Sequence, residues 1–268
     1  MGDAMTDFYR GKTALVTGAS SGIGRALAIE LGRLGARCIL AARRRDRLES
    51  IAEALKQAGA TEPLVTVVDL LDASARQAWI AKLQNGPTDL DLLINNAGTG
   101  MNRRFLDSEP SRLDDLLSLD LEVPLELTRA FAPAMVCRGF GGVLNVASIA
   151  AFIATPFHAH YSATKAALLH WSEALTAELA SSGVRVTALC PGVTDTEFFE
   201  AGDYAMKSLI YRMPRATPES VARAGLDALA RGRARVIPGW NNRALLALTK
   251  ILPTSWVTAG AGRAMSTD

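Results

Sequence analysis

The sequence predicts a doubly wound α/β fold, in which a parallel sheet carries helices on both faces in three layers. Short apolar runs rich in β-branched residues alternate with longer amphipathic runs along the chain. Strands joined through helices run parallel, because each connection must cross the sheet before the next strand begins. Since no linker, repeat or low-complexity tract divides the 268 residues, we expect a single domain over 1–268.

Seven short runs are the predicted strands, and six amphipathic runs are the predicted helices. The strands are Thr13–Thr17, Arg37–Ala41, Leu64–Val68, Leu92–Asn95, Val143–Ala147, Val184–Leu189 and Arg235–Ile237. The helices are Gly24–Leu34, Asp46–Ala58, Ala73–Leu83, Ser111–Val136, Ser162–Ser181 and Pro218–Ala230. This order places the carboxyl ends of the strands at one edge of the sheet, where such folds bind ligands.

Composition argues against several classes of function. The chain has 29 basic and 27 acidic residues and no basic stripe with interleaved aromatic side chains, which argues against a nucleic-acid partner. Cys38, Cys137 and Cys190 are widely spaced and lie in or beside apolar runs, so we expect buried free thiols and no metal site. Residues 1–10 lack the apolar core of a signal peptide, and we therefore expect a cytoplasmic protein.

A glycine-rich turn follows the first predicted strand and precedes a predicted helix. Its glycines would let a ligand approach the backbone, and the free amides of a helix N-terminus favour an anion such as a pyrophosphate. The predicted ligand contacts in this turn are Gly18, Ser20, Ser21, Gly22, Ile23 and Gly24. A plain structural turn is the alternative, because the spacing Gly-x-x-x-Gly-x-Gly differs from the common dinucleotide fingerprint.

Small polar residues also follow the fourth predicted strand, in the run Asn95-Asn96-Ala97-Gly98. Because the carboxyl ends of parallel strands share one edge of the sheet, this run would lie near the glycine-rich turn. We predict that Asn95, Ala97 and Gly98 contact the same ligand.

Tyr161 and Lys165 are four residues apart at the start of the predicted helix Ser162–Ser181, and Ser148 precedes Tyr161 by thirteen residues. Residues i and i+4 share a helix face, so the ammonium would lie beside the phenol. A free phenol titrates near pH ~10, and a neighbouring cation lowers that pKa toward the range useful for proton transfer. Taken alone, the pair would more often be a half-buried tyrosine beside a solvated lysine.

Five motifs taken together resemble the short-chain dehydrogenase/reductase family, and their order and distances fit from about Gly11 to Thr196. They are Thr17-Gly18-x-x-x-Gly22-x-Gly24, Asn95-Asn96-Ala97-Gly98, Ser148, Tyr161-x-x-x-Lys165 and Pro191-Gly192. The resemblance implies a seven-stranded Rossmann sheet and hydride transfer between a nicotinamide cofactor and a carbonyl or alcohol. It also implies that Tyr161 is the general acid or base. Lys165 would lower the pKa of Tyr161 and hold the nicotinamide ribose, and Ser148 would hydrogen-bond the substrate oxygen.

The resemblance assigns further cofactor contacts. Asp69 and Leu70 match the position that contacts adenine, although an aspartate at the end of a strand can instead cap the next helix. The turn that holds Pro191, Gly192, Val193 and Thr196 matches the segment beside the nicotinamide.

Asp120 departs from the family pattern, which usually has an asparagine here. That asparagine is thought to bend its helix and, through a water, to complete a proton relay to the lysine. An ionised aspartate cannot donate a hydrogen bond, and its charge would raise the pKa values of Lys165 and Tyr161. Asp120 is either tolerated or a sign of weak catalysis. The alternative function is therefore a dinucleotide-binding regulatory or scaffold protein.

Arg43 and Arg44 follow Ala42 at the end of the second predicted strand. Enzymes that use NAD place an acid there to bind the ribose 2′-hydroxyl, whereas an arginine accommodates the 2′-phosphate of NADP. Four arginines at a helix start also oppose the macrodipole, which an external anion would relieve. We predict that NADPH is preferred over NADH, and a solvated basic turn is the alternative.

Two later segments concern the substrate and partners. The apolar segment at about 196–216 predicts either a lid over an apolar or lipid-like small-molecule substrate or simple packing onto the sheet. The C-terminal amphipathic segment at about 240–268 is too short to span a bilayer, and would lie against a partner subunit, in the core or on a membrane surface. His158 and His160 would line the substrate entrance or lie on the surface. The apolar helices at 111–136 and 162–181 predict a homodimer or homotetramer.

Overall fold

The strands form one parallel seven-stranded sheet in the order β3-β2-β1-β4-β5-β6-β7. The protein was analysed as a computed structural model, which describes residues 2–87, 89–198 and 215–266. The strands are β1 Thr13–Thr17, β2 Arg37–Ala42, β3 Leu64–Val67, β4 Leu92–Asn95, β5 Gly141–Val146, β6 Val184–Leu189 and β7 Arg235–Val236. The order reverses between β1 and β4, which confirms the predicted doubly wound α/β fold.

Ten α-helices lie within the described ranges. They are α1 Gly2–Tyr9, α2 Gly22–Arg33, α3 Arg45–Gln57, α4 Ala73–Gln84, α5 Pro110–Leu117, α6 Val123–Arg138, α7 Ala159–Glu178, α8 Pro218–Ala230, α9 Trp240–Thr249 and α10 Thr254–Met265. Short 3₁₀ turns lie at Phe105–Asp107 and Ile149–Phe152. None of these helices is both long and apolar enough to cross a bilayer.

The core lies on both faces of the sheet, as the apolar strands predict. One core cluster joins the sheet to α1, α2, α3 and α8, and a second joins it to α4 and α6. Strands β1, β4 and β5 are buried along their whole length. Their carboxyl ends therefore meet at one edge on a rigid base.

Three details differ from the predicted elements. Helix α1 was not among the predicted helices, and it is held by a hydrogen bond from the Tyr9 hydroxyl to the Leu226 carbonyl oxygen at 2.7 Å. The predicted helix Ser111–Val136 is interrupted by a π turn at Ser118–Glu122. The expectation that all three cysteines are buried is wrong for Cys137, which is exposed on the outer side of α6.

Candidate active site

The glycine-rich turn is locked to the end of β4 by a set of polar contacts. The Thr17 hydroxyl accepts hydrogen bonds from the amides of Asn96 and Ala97, at 3.0 and 3.1 Å. The Asn96 side chain donates to the carbonyl oxygens of Thr17 and Gly18. Gly18 has a φ of +63°, and a Cβ there would lie 2.8 Å from the Ala97 Cα. Glycine is therefore required where these two strand ends approach each other.

The start of α2 fits the pyrophosphate of a dinucleotide. The helix begins at Gly22, and the Ser21 side chain makes no capping hydrogen bond to its first amides. Those amides and the helix dipole remain available to an anion. A cavity of about 720 Å³ runs from this turn past Ser148 to Tyr161 and Lys165. The cavity thus joins the predicted phosphate site to the predicted reacting groups.

Arg44 is held against the glycine-rich turn. Its guanidinium donates to the hydroxyls of Ser20 and Ser21, at 3.1 and 2.9 Å. It also pairs with Glu197 at 3.0 Å, and Glu197 bridges to Arg47. The two arginines hold the pKa of Glu197 below its usual range. An internal carboxylate therefore partly neutralises the arginine cluster for which the sequence predicted an external anion.

Arg43 and Asp69 lie close together at the end of the cavity that the family resemblance predicts to hold adenine. The Arg43 side chain is largely exposed, and its guanidinium lies 3.9 Å from the Asp69 carboxylate. Asp69 accepts a hydrogen bond from the Leu71 amide, whereas Asp72 caps α4 by accepting from Ser74 and Ala75. The capping alternative for Asp69 is therefore wrong, because Asp72 fills that role.

Tyr161 and Lys165 are both buried on one face of α7, as their spacing predicted. The Lys165 ammonium donates to the Val146 carbonyl oxygen at 3.0 Å and lies 5.7 Å from the centre of the Tyr161 ring. Ser148 follows β5, and its hydroxyl oxygen accepts from the Ala150 amide at 3.1 Å. A hydrogen bond with Ser148 acts to lower the pKa of Tyr161. The three predicted catalytic side chains thus converge on one wall of the cavity.

Asp120 lies behind this group and does not line the cavity. It is fully buried in the π turn, where its carboxylate accepts from the Thr99 amide at 2.7 Å. Its other oxygen lies 2.9 Å from the Lys165 Nζ atom. The Lys165 ammonium therefore contacts both the Asp120 carboxylate and the Val146 carbonyl oxygen. Its ion pair with Asp120 lies on the side away from the cavity.

Burial and charge act in opposite directions on the pKa values here. Burial raises the pKa of Tyr161, Lys165 lowers it, Asp120 raises it, and the pKa lies above its ordinary value. Burial acts to lower the pKa of Lys165, but the acidic partners Asp120 and Tyr161 raise it above its ordinary value. Burial also raises the pKa of Asp120, against the opposing effect of Lys165. In this state of the protein the phenol therefore holds its proton at neutral pH.

Most of the predicted contact residues lie on the cavity wall, and three do not. Gly24 lies beneath the turn, Asp120 lies behind Lys165, and Asn95 points toward α6 and β5. The Asn95 amide donates to Asn145 at 2.8 Å and to Thr128 at 3.2 Å. Those lining the cavity are Gly18, Ser20, Ser21, Gly22, Ile23, Arg43, Arg44, Asp69, Leu70, Ala97, Gly98, Ser148, Tyr161, Lys165, Pro191, Gly192, Val193 and Thr196.

His158 contributes to the cavity wall and is buried, although a surface position was the commoner expectation. Its ring lies 5.4 Å from that of Tyr161 in an edge-on arrangement. Burial lowers the pKa of His158 to about 4. His160 instead contacts the Leu113 carbonyl oxygen at 2.9 Å. The imidazole beside the phenol is therefore neutral at physiological pH.

The C-terminal helices form an apolar wall of the cavity that the sequence did not assign to the site. Helix α9 contributes Leu245 and Leu248, the connection to α10 contributes Leu252, and α10 contributes Trp256 and Val257. The Phe198 ring packs against the Tyr161 ring, with 5.8 Å between the ring centres. The rest of the predicted lid, 199–214, lies outside the described residues. The part of the cavity beyond Tyr161 is therefore lined mainly by aliphatic and aromatic side chains.

Comparison with known proteins identifies the class. The family model for short chain dehydrogenases matches residues 12–205. The chain is 31% identical over 251 residues to the ketoacyl reductase HetN of Nostoc sp., covering 91% of this chain and 86% of that protein. The chain therefore belongs to the short-chain dehydrogenase family of NAD(P)-dependent oxidoreductases acting on CH–OH groups.

Two solved structures resemble the whole fold. A short-chain dehydrogenase from Sphingobium yanoikuyae in complex with NADPH is 27% identical, with a TM-score of 0.80 over 90% of this chain and 96% of that one. An alcohol dehydrogenase from Comamonas testosteroni that is specific for bulky-bulky ketones is also 27% identical. Its TM-score is 0.75 over 90% of this chain and 95% of that one. A nicotinamide dinucleotide is therefore the cofactor class of this fold and site.

Proposed function

We propose that the protein transfers a hydride between NADP(H) and the carbonyl or secondary alcohol of an apolar small molecule. The observation that carries the proposal is the convergence of Ser148, Tyr161 and Lys165 on one wall of a cavity. That cavity also reaches the open N-terminus of α2. The bound dinucleotide supplies the hydride.

Tyr161 moves the proton in this proposal. During reduction its phenol donates a proton to the carbonyl oxygen, and during oxidation its phenolate takes a proton from the alcohol. Its raised pKa suits the first of these roles at neutral pH. Ser148 donates a hydrogen bond to the same substrate oxygen and stabilises the negative charge that develops there. Lys165 favours the phenolate once the proton has left, because the ammonium is buried beside it.

The substrate class follows from the wall opposite Tyr161. Leu245, Leu252 and Val257 supply apolar surface there. Apart from Lys165 and the neutral His158, the described acidic and basic side chains of the cavity lie toward the proposed dinucleotide end. Burial of apolar surface stabilises a bound ligand by ~25 cal/mol per Å². A bulky apolar ketone, or the acyl part of a lipid-like substrate, would gain most from such a wall. The names of relatives that reduce ketoacyl groups or bulky ketones support the same class.

The cofactor preference proposed here is for NADPH over NADH. Arg43 and Arg44 both line the cavity beside the end of β2, with no acidic residue at that strand end. The NADPH complex of the Sphingobium relative supports this choice. We also propose that residues 1–268 form one domain, because a single seven-stranded sheet carries core clusters on both of its faces. The free thiols of Cys38, Cys137 and Cys190 support a cytoplasmic location for it.

A substrate screen tests the proposed function. NADPH consumption would be followed against ketones, aldehydes, quinones, steroids and 3-oxoacyl thioesters, each in small and bulky apolar forms. We expect turnover to rise with the apolar bulk of the carbonyl compound and to be lost in Ser148→Ala. Binding of NADPH without turnover on every class would contradict the proposal and favour a regulatory protein.

A further inference from the structure

The C-terminal segment carries an exposed apolar surface on the side of α9 away from the sheet. Trp240 is 77% exposed and Ile251 is 82% exposed. Ala244 and Leu248 lie between them at helical spacing, so the four side chains follow one stripe along α9 and its continuation. Trp256 in α10, which is 69% exposed, extends the surface. Large apolar side chains grouped in this way are uncommon on a surface that only meets water.

Among the described residues, the charged side chains near this apolar stripe are all cations. Arg243 lies on α9, Lys250 directly follows α9, and Arg263 lies on α10. The sequence contains no aspartate or glutamate between positions 228 and 267. Within the described ranges, none of the three cations forms an ion pair, whereas Arg231 and Arg235 pair with acids elsewhere. The surface therefore combines exposed tryptophans with unneutralised positive charge.

We propose that this surface docks on an anionic phospholipid bilayer. Tryptophan favours the boundary between headgroups and acyl chains, and lysine and arginine beside an apolar helix face are attracted to anionic headgroups. A two-fold contact with a second copy explains the surface less well. An isologous contact would bring two positively charged surfaces together, and residues 228–267 supply no acidic side chain to separate them.

The surface surrounds the mouth of the cavity. Leu248 and Trp256 line the cavity and are also 51% and 69% exposed, so they lie where it opens to the outside. Docking through α9 and α10 would therefore turn this mouth toward the lipid. The docking itself does not depend on the reaction proposed above.

Vesicle binding of the full-length protein tests this proposal. Sedimentation with phosphatidylcholine vesicles would be compared with sedimentation on vesicles that also contain phosphatidylglycerol. We expect binding to the anionic vesicles, a blue shift of tryptophan fluorescence, and weaker binding at high salt. The double variant Trp240→Ser, Ile251→Ser should weaken binding by at least about tenfold. Its NADPH affinity should not change, because neither residue lines the cavity.

Matched variants separate the causes. Leu64→Ser removes an exposed apolar side chain from edge strand β3, at the opposite edge of the sheet, and should bind vesicles as the unmutated protein does. The pair Arg243→Gln, Lys250→Gln should reduce binding to anionic vesicles only. Failure of the unmutated protein to bind anionic vesicles would overturn the proposal. Equal vesicle binding by the double variant and the unmutated protein would also overturn it. A third contrary result would be a shift of the double variant from dimer to monomer in light scattering, with no vesicle binding, which would indicate a contact between subunits.

Discussion

At Tyr161 burial and charge together set the pKa of the phenol, and in the proposed mechanism this pKa decides the pH range in which each direction of the reaction is catalysed. The family resemblance implied that Lys165 lowers the pKa of the phenol, and it does act in that direction. Burial and the carboxylate of Asp120 act against it and prevail. The substitution of asparagine by Asp120 therefore changes the electrostatics of the site without removing any of the three predicted catalytic side chains.

Replacing Asp120 by asparagine should shift the pH profile. Asparagine can still accept from the Thr99 amide, but it removes the charge that raises the pKa of Tyr161. Reduction should therefore begin to decline at a lower pH than in the unmutated protein. Oxidation should likewise reach its plateau at a lower pH. Initial rates measured across pH in both directions check this. The exposed Asp115→Asn in α5 is the control, and coinciding profiles for Asp120→Asn and the unmutated protein would contradict the proposed coupling.

His158 should make the fold sensitive to acid. Its pKa is lowered from 6.5 to about 4 by burial, so the unfolded chain binds a proton more readily than the folded protein between these values. Stability is therefore lost as the pH falls below 6.5, by about 2 kcal/mol at pH 5. Urea unfolding measures the free energy of unfolding at pH 7.5 and at pH 5. The loss of stability between these two pH values should be smaller by this amount in His158→Asn than in the unmutated protein. The same change at the exposed His170 should leave the loss as it is, and equal losses in all three proteins would exclude the effect.

At the scale of elements, the ends of β1, β2, β3 and β4 line one end of the cavity, and local motifs predicted most of the residues that lie there. The glycine-rich turn and the positions of Asp69 and Ala97 could be predicted because each depends on a few neighbouring residues. Asn95 and Asn96 show the limit. Adjacent residues at a strand end face opposite sides, and the sequence alone does not say which side meets the ligand. Only Asn96 reaches the cavity.

The contact between the start of α3 and Glu197 predicts an effect on cofactor choice. Glu197 occupies Arg44 and Arg47, so a 2′-phosphate must compete with this carboxylate for Arg44. Glu197→Gln should therefore raise NADPH affinity more than NADH affinity.

Arg43→Ala should lower NADPH affinity by about tenfold and NADH affinity much less. Fluorescence titration measures both, with Glu49→Gln on α3 as the control. Equal NADH and NADPH affinities in the unmutated protein would contradict the preference.

At the scale of the whole molecule, the alternation of strands and helices was sufficient to predict the sheet, its direction and the edge that carries the site. Contacts between residues distant in sequence were not predictable in the same way. The Glu197 bridge to Arg44 and the cavity wall formed by α9 and α10 arise only when the C-terminal third packs over the site. The sequence placed 240–268 as a possible partner or membrane contact and not as part of the substrate cavity.

The outer faces of α6 and α7 predict assembly into a homodimer or homotetramer. Val136 and Cys137 on α6 are exposed, and the outer positions Ala163 and Ala167 on α7 are small and apolar. Light scattering at micromolar concentration should give a dimer or tetramer, and Val136→Glu should shift it toward the monomer by burying a charge in the contact. Leu64→Glu on edge strand β3 is the control. A monomer for the unmutated protein would contradict this assembly.

In the proposed NADPH-dependent reaction, Tyr161 transfers the proton to or from the substrate oxygen. Tyr161→Phe keeps the ring that packs against His158 and Phe198 but deletes the acidic hydroxyl. The measurement is NADPH consumption with a carbonyl compound that the unmutated protein reduces, together with NADPH binding by fluorescence. Turnover should fall by about 10²-fold or more while NADPH affinity is retained, because the glycine-rich turn and Arg43 are untouched. Full turnover in Tyr161→Phe would contradict the mechanism.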